Sequence, residues 1–184
     1  MNVFIICLGL LPLIRLFVLG YQDDLSANPI EFITRSTGTW ALVFLCLTLS
    51  ITPVRKLTGW STLLNYRRTL GLFVFFYTCL HFSIWFWLDH NLSVSEMLGD
   101  VIKRPFITIG FTAFVLLIPL ALTSNDWAVK KLKRSWSKLH KLIYVIAILA
   151  ILHYFWHKSG KNDFQTVGIY ALIISSLLLY RLKR

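Results

Sequence analysis

The sequence predicts an all-α integral membrane protein: a bundle of six transmembrane helices with both termini in the cytoplasm. Three observations carry that expectation. Hydrophobic residues make up 57% of the 184 positions, and they fall into long runs where a soluble core would alternate apolar with polar positions. The runs lie at about 3–20, 38–54, 69–88, 106–122, 140–157 and 164–180, each near the ~17 to 25 residues that a helix rising 1.5 Å per residue needs to cross hydrocarbon. Basic residues, finally, are segregated into alternate connections.

The first run, within MNVFIICLGLLPLIRLFVLG, has no basic stretch ahead of it, carries Arg15 inside it and ends without a small-residue cleavage site. It therefore reads as a retained span and not as a signal peptide. Arg15 is costly in hydrocarbon and is expected either to face the bundle or to snorkel to the interface. The second run is expected to end at Pro53, and the fourth to open on Pro105. Gly160, Asn162 and Asp163 are expected to form a tight link between the fifth and sixth. Cys7, Cys46 and Cys79 each sit inside an apolar run without the close spacing of a metal or redox pair, so they are expected to be small buried hydrophobes. No internal repeat, low-complexity tract or soluble domain is legible, and residues 1–184 read as one domain.

Charge sets the orientation. The formal net charge of +11 would suit a nucleic-acid partner only if it formed one basic surface, whereas here Lys and Arg lie between spans. Arg55, Lys56, Arg67 and Arg68 lie between spans 2 and 3; Lys130, Lys131, Lys133, Arg134, Lys138 and Lys141 lie between spans 4 and 5; Arg181, Lys183 and Arg184 follow span 6. The opposite connections carry Asp23, Asp24, Glu31, Asp89, Glu96, Asp100 and Asp163 with fewer bases, Arg35, Lys103, Arg104, Lys158 and Lys161. The positive-inside rule then places both termini in the cytoplasm, with spans 3 and 5 running outward.

Histidines carry the chemistry. His90 follows Asp89 in a connection and is expected to be solvated. His81 sits inside span 3, about 13 residues in and roughly 20 Å from its cytoplasmic end. His140 stands at the mouth of span 5, and His153 lies 13 residues beyond it, again roughly 20 Å deep. Two imidazoles at one depth on different helices suit a metal held from both axial sides. Haem fits two protein ligands because the porphyrin supplies the other four nitrogens; bare zinc or iron would need further donors, and the carboxylates all lie in connections. His140 has no histidine partner at its level, where span 3 carries Arg67 and Arg68, candidates to pair with haem propionates. Thirteen steps of about 100° also put His140 and His153 on different faces of an ideal helix, so alignment needs a bend. His157 shares a face with His153 but reaches the interface beside Lys158, where it reads as solvated or as a substitute ligand. The Trp, Tyr and Phe residues that follow His81 and His153 read as an interfacial belt. A histidine-lined proton channel or transporter, and a non-catalytic membrane anchor, stay open beside the haem reading.

Several short stretches in fixed order, "GLLPLIRL", "LSITPVRKL", "NYRRTLGL", "TCLH", "KRPFITIG", "LALTSN", "SKLHKLIYV" and "ILHYFW", resemble the MsrQ (YedZ) family of bacterial inner-membrane haem proteins, within the ferric-reductase-like transmembrane group. The resemblance covers essentially the whole chain. It implies b-type haem, one or two, with His81, His140 and His153 as the haem histidines. It further implies electron transfer to MsrP, a periplasmic molybdenum enzyme that reduces methionine sulfoxide in oxidised proteins. Electrons are expected from the quinone pool or a flavin, so FMN is implied by the resemblance alone; no flavin fingerprint is legible. Related ferric reductases carry a cytosolic flavin and nucleotide domain after the sixth span, where this sequence ends in "YRLKR", so the reductant is expected to be a quinone or a separate protein.

Overall fold

A computed structural model describes residues 3–159 and 164–182. The link expected at Gly160, Asn162 and Asp163, together with Lys161, Lys183 and Arg184, lies outside the described residues. No strand occurs among the described residues, and six helical runs are long and apolar enough to cross a membrane: Val3–Tyr21, Pro29–Thr58, Ser61–Asp89, Pro105–Leu122, Arg134–Lys158 and Phe164–Arg181. They match the six expected spans one for one. The chain forms two compact units, Met1–Met97 and Leu98–Arg184.

The first unit holds α1 (Val3–Tyr21), α2 (Pro29–Thr58) and α3 (Leu64–Ile84). Helix α2 begins well before the apolar run at residue 38. Pro29 supplies a fixed φ at the first turn, the Asn28 side chain accepts from the Glu31 N–H at 3.2 Å, and Arg35 pairs with Glu31 at 3.4 Å one turn on. The helix also passes through Pro53, where it was expected to stop. Pro53 is buried among its neighbours, and a packed membrane helix tolerates the one backbone bond a proline removes. The actual stop is Gly59, in the left-handed region at φ 77°, whose N–H closes on the Arg55 carbonyl.

A short connection turns the chain so that α3 runs back along α2. Phe44 of α2 stacks on Phe73 and Tyr77 of α3, with ring centroids 5.0 and 5.3 Å apart. Leu42, Leu45, Leu49 and Val74 complete a buried seam. Helix α1 closes onto α3 at Gly9, where a Cβ would stand 2.3 Å from the Phe73 ring, and Tyr77 Oη donates to the Gly9 carbonyl at 2.8 Å. Arg15 is exposed on α1, whose buried residues are Gly9, Pro12 and Leu16. Cys7 is also exposed and Cys46 and Cys79 are only half-buried, so the expectation of burial fails for Cys7: it occupies an outward face of α1. After α3 the ladder loosens into a π-helical turn, Trp85–Asp89, and His90 packs edge-on against Trp85 with centroids 4.6 Å apart, so it is not simply solvated.

A short amphipathic helix, α4 (Val94–Lys103), leads into the second unit. There α5 (Pro105–Leu122) opens on Pro105 as expected, and is followed by α6 (Asp126–Leu132), α7 (Arg134–Leu139), α8 (Leu142–Ser159) and α9 (Phe164–Leu182). Asn125 caps α6 by accepting from the Ala128 N–H at 2.8 Å. Helix α8 runs back along α5, with Trp136 near the end of α5 and His153 near its start. Helix α9 runs back along α8, through Phe155 with Phe164, Tyr154 with Tyr170 and Tyr144 with Arg181. The helix axis is interrupted at His140 and Lys141, where bonds from Lys141 N to Lys138 O and Tyr144 N to Lys141 O tighten the turn. The interruption falls between His140 and His153, so the two are not carried on one continuous ideal helix.

Candidate functional site

His81 lies in the last turn of α3 and is half-buried. Its Nδ1 stands 2.9 Å from the Thr34 carbonyl of α2. A carbonyl can only accept, so Nδ1 carries the hydrogen, and in the neutral ring Nε2 is the nitrogen with the lone pair. Four residues past that carbonyl is Gly38. A Cβ built there would lie 3.1 Å from Nδ1 and Cε1 of His81, so the ring rests on bare helix backbone.

The second unit repeats the arrangement. His153 of α8 places Nδ1 2.7 Å from the Phe106 carbonyl in the first turn of α5. Gly110, four residues on, would bring a Cβ to 2.6 Å from Nδ1 and 2.8 Å from Cε1. In both units 47 residues separate the histidine from its acceptor. The Phe106 ring packs against His153 and His157, with centroids 6.1 and 6.2 Å apart, while Arg104 lies over the same ring at 5.3 Å. His157 is therefore half-buried against an aromatic, and Lys158 beside it is only 4% exposed, which corrects the solvated reading.

His140 ends α7. Its ring stacks on Trp136 at 3.9 Å between centroids, and its Nδ1 is 3.1 Å from the Trp136 carbonyl, which assigns the same tautomer as in the other two. The indole is fixed in turn, Nε1 donating to the Thr123 carbonyl at the end of α5 at 2.9 Å. Arg67 and Arg68 are exposed in the first turns of α3, roughly 20 Å along that helix from His81.

Among the described residues no group of three or more His, Cys, Asp or Glu is placed to hold a bare metal ion. The imidazoles instead suit a metal that brings equatorial ligands of its own: Nδ1–H bonded to a carbonyl orients the ring and raises the basicity of Nε2, and glycine leaves space for the ring. Sequence reasoning reached His81, His140 and His153 but not Gly38, Gly110, Trp136 or the two acceptor carbonyls. The available signal was a glycine in mid-helix with no turn to explain it.

A family model described as ferric reductase like transmembrane component matches residues 37–151, a stretch that includes Gly38, His81, Gly110 and His140. The chain is 58% identical to a protein of Herminiimonas arsenicoxydans over 94% of its own length and 80% of the relative's. It is 56% identical to one of Ralstonia nicotianae over 93% and 79%, and 46% identical to one of Brucella ovis over 96% and 79%. All three relatives are named protein-methionine-sulfoxide reductase heme-binding subunit MsrQ. No solved structure matches the chain.

Proposed function

Since the chain belongs to the MsrQ family, within the ferric-reductase-like transmembrane proteins, we propose that it is the haem-binding, electron-transferring subunit of a methionine sulfoxide reductase system in the bacterial inner membrane. The observation that carries this reading is the Nδ1 to carbonyl bond at His81 and at His153, which puts the hydrogen on Nδ1 and so supports Nε2 as the ligating nitrogen of each ring. His81 and His153 hold b-type haem at the outer site. His140, stacked on Trp136, serves an inner or auxiliary site, and Arg67 and Arg68 pair with propionates. Haem held this way supplies reversible one-electron chemistry. The chain's own contribution is to orient the imidazoles, keep the surroundings apolar and exclude competing ligands.

Residues 1–184 act as one haem domain with both termini cytoplasmic, an orientation supported by the bases between spans 2 and 3 and between spans 4 and 5. Electrons enter from a quinone or a flavin donor, with FMN as one candidate carrier, and leave to a periplasmic, molybdenum-dependent subunit of MsrP type. Methionine sulfoxide is reduced in that partner. Sealed vesicles of both orientations test the assignment. After reduction with dithionite and removal of the excess, adding the purified partner with a methionine sulfoxide peptide is expected to reoxidise the haem in right-side-out vesicles only. No reoxidation in either orientation would contradict the function, and reoxidation confined to inverted vesicles would contradict the topology.

A further inference from the structure

Like Gly9 beneath Phe73, the glycines beneath the two histidines sit against a ring, here an imidazole. At Gly99 and Gly168 an added Cβ meets nothing within 4 Å, so those positions could be alanine without steric cost and with better helix propensity. At Gly38 and Gly110 the added Cβ meets an imidazole, at 3.1 and 2.6 Å. In each case the imidazole Nδ1 is bonded to the carbonyl one turn earlier in the same helix. Bare backbone and acceptor thus form one device, built once in each unit.

We propose that Gly38 and Gly110 are positioning residues for the haem ligands: each lets an imidazole lie against the helix closely enough for Nδ1–H to reach the Thr34 or Phe106 carbonyl, which holds Nε2 as the ligating nitrogen. The proposal rests on the reading of His81 and His153 as ligands. A methyl group at Gly110 occupies space the ring now fills, so the ring must withdraw and the hydrogen bond lengthens or breaks. At Gly38 the ring needs to give way by only a few tenths of an ångström, so the disturbance is smaller. An imidazole without its carbonyl partner is a weaker donor, which favours the ferric state less and raises the midpoint potential.

The test uses the full-length protein purified from membranes as wild type, Gly110→Ala, Gly38→Ala, the control Gly168→Ala, and His81→Ala and His153→Ala. Haem per protein, the reduced-minus-oxidised spectrum and the midpoint potential are measured for each. Gly110→Ala is expected to raise the potential and to weaken haem binding by about 10- to 100-fold, the usual loss when an outer partner of a metal ligand is removed. Gly38→Ala is expected to shift the potential in the same direction by less, and Gly168→Ala to match wild type. Wild-type potential and haem content in Gly110→Ala would overturn the proposal. If that variant fails to accumulate in membranes, wild-type values in Gly38→Ala overturn it instead. The histidine variants separate the two readings: bands lost there but unaltered in the glycine variants remove the positioning role alone, whereas bands intact in the histidine variants remove the ligand reading itself.

Discussion

At the scale of single residues, the protein ties down polar groups inside an apolar bundle by giving each a backbone partner. The Nδ1 atoms of His81, His140 and His153 face carbonyls, and Tyr77, wholly buried, donates to Gly9 O. An unsatisfied polar group in such surroundings is costly. Tyr77→Phe should therefore lower stability by about 0.5 to 1.5 kcal/mol, the net worth of one hydrogen bond, while the haem spectrum stays unchanged; titration with denaturing detergent checks this, and an unaltered midpoint would contradict it. His81 and His153 were legible in the sequence because an ionisable residue inside a span stands out, and His140, at the mouth of a span, mainly through the family resemblance. Their supports were not: a backbone carbonyl is identical at every position, and a mid-helix glycine reveals its purpose only when the ring it accommodates is in place. Arg15 and His157 were ambiguous, and Cys7 was wrongly expected to be buried, for a related reason, since which face of a helix is covered depends on neighbours that hydropathy does not identify.

At the scale of elements, hydropathy located all six spans, because length and apolarity are set by the bilayer and not by tertiary detail. Helix ends were less legible. Pro53 carried the expected stop signal but lies inside α2, and the termination at Gly59 depends on its left-handed φ of 77°. Nothing lies within 4 Å of a Cβ added at Gly59, so Gly59→Ala isolates the backbone effect. It should destabilise the protein by roughly 1 to 2 kcal/mol, the cost of a left-handed conformation for a residue with a side chain. The same detergent titration measures it, and a neutral result would mean the α2 to α3 connection does not constrain the hairpin. The short helices α4, α6 and α7 went unforeseen because each is only 6 to 10 residues long and polar, so none carries a span signal. Yet α7 supplies Trp136, which holds His140, and the helix is broken between His140 and His153.

At the scale of the whole molecule, the two units show a correspondence that the sequence concealed. Gly38 and Gly110 are 72 positions apart, as are His81 and His153 and the leucines before them, Leu80 and Leu152. Ala41, Val43 and Leu45 correspond in the same way to Ala113, Val115 and Leu117. These matches are scattered among apolar residues that any membrane helix would carry, so no repeat stands out until the hydrogen bonds of the two histidines are compared. Between those histidine-bearing pairs the chain differs where the inner chemistry is expected, with Arg68 at the position that corresponds to His140. That difference leaves each unit with one histidine bonded to a carbonyl in this way, and only the second with a further histidine at the level of His140. The central claim is that His81 and His153 ligate haem, and the most direct measurement is a dithionite-reduced-minus-oxidised spectrum of the purified full chain as wild type and as His81→Ala, His153→Ala and His140→Ala. A b-type α band is expected in wild type, lost or strongly diminished in His81→Ala and His153→Ala and less affected in His140→Ala. No α band in wild type, or intact bands in the His81 and His153 variants, would contradict the claim.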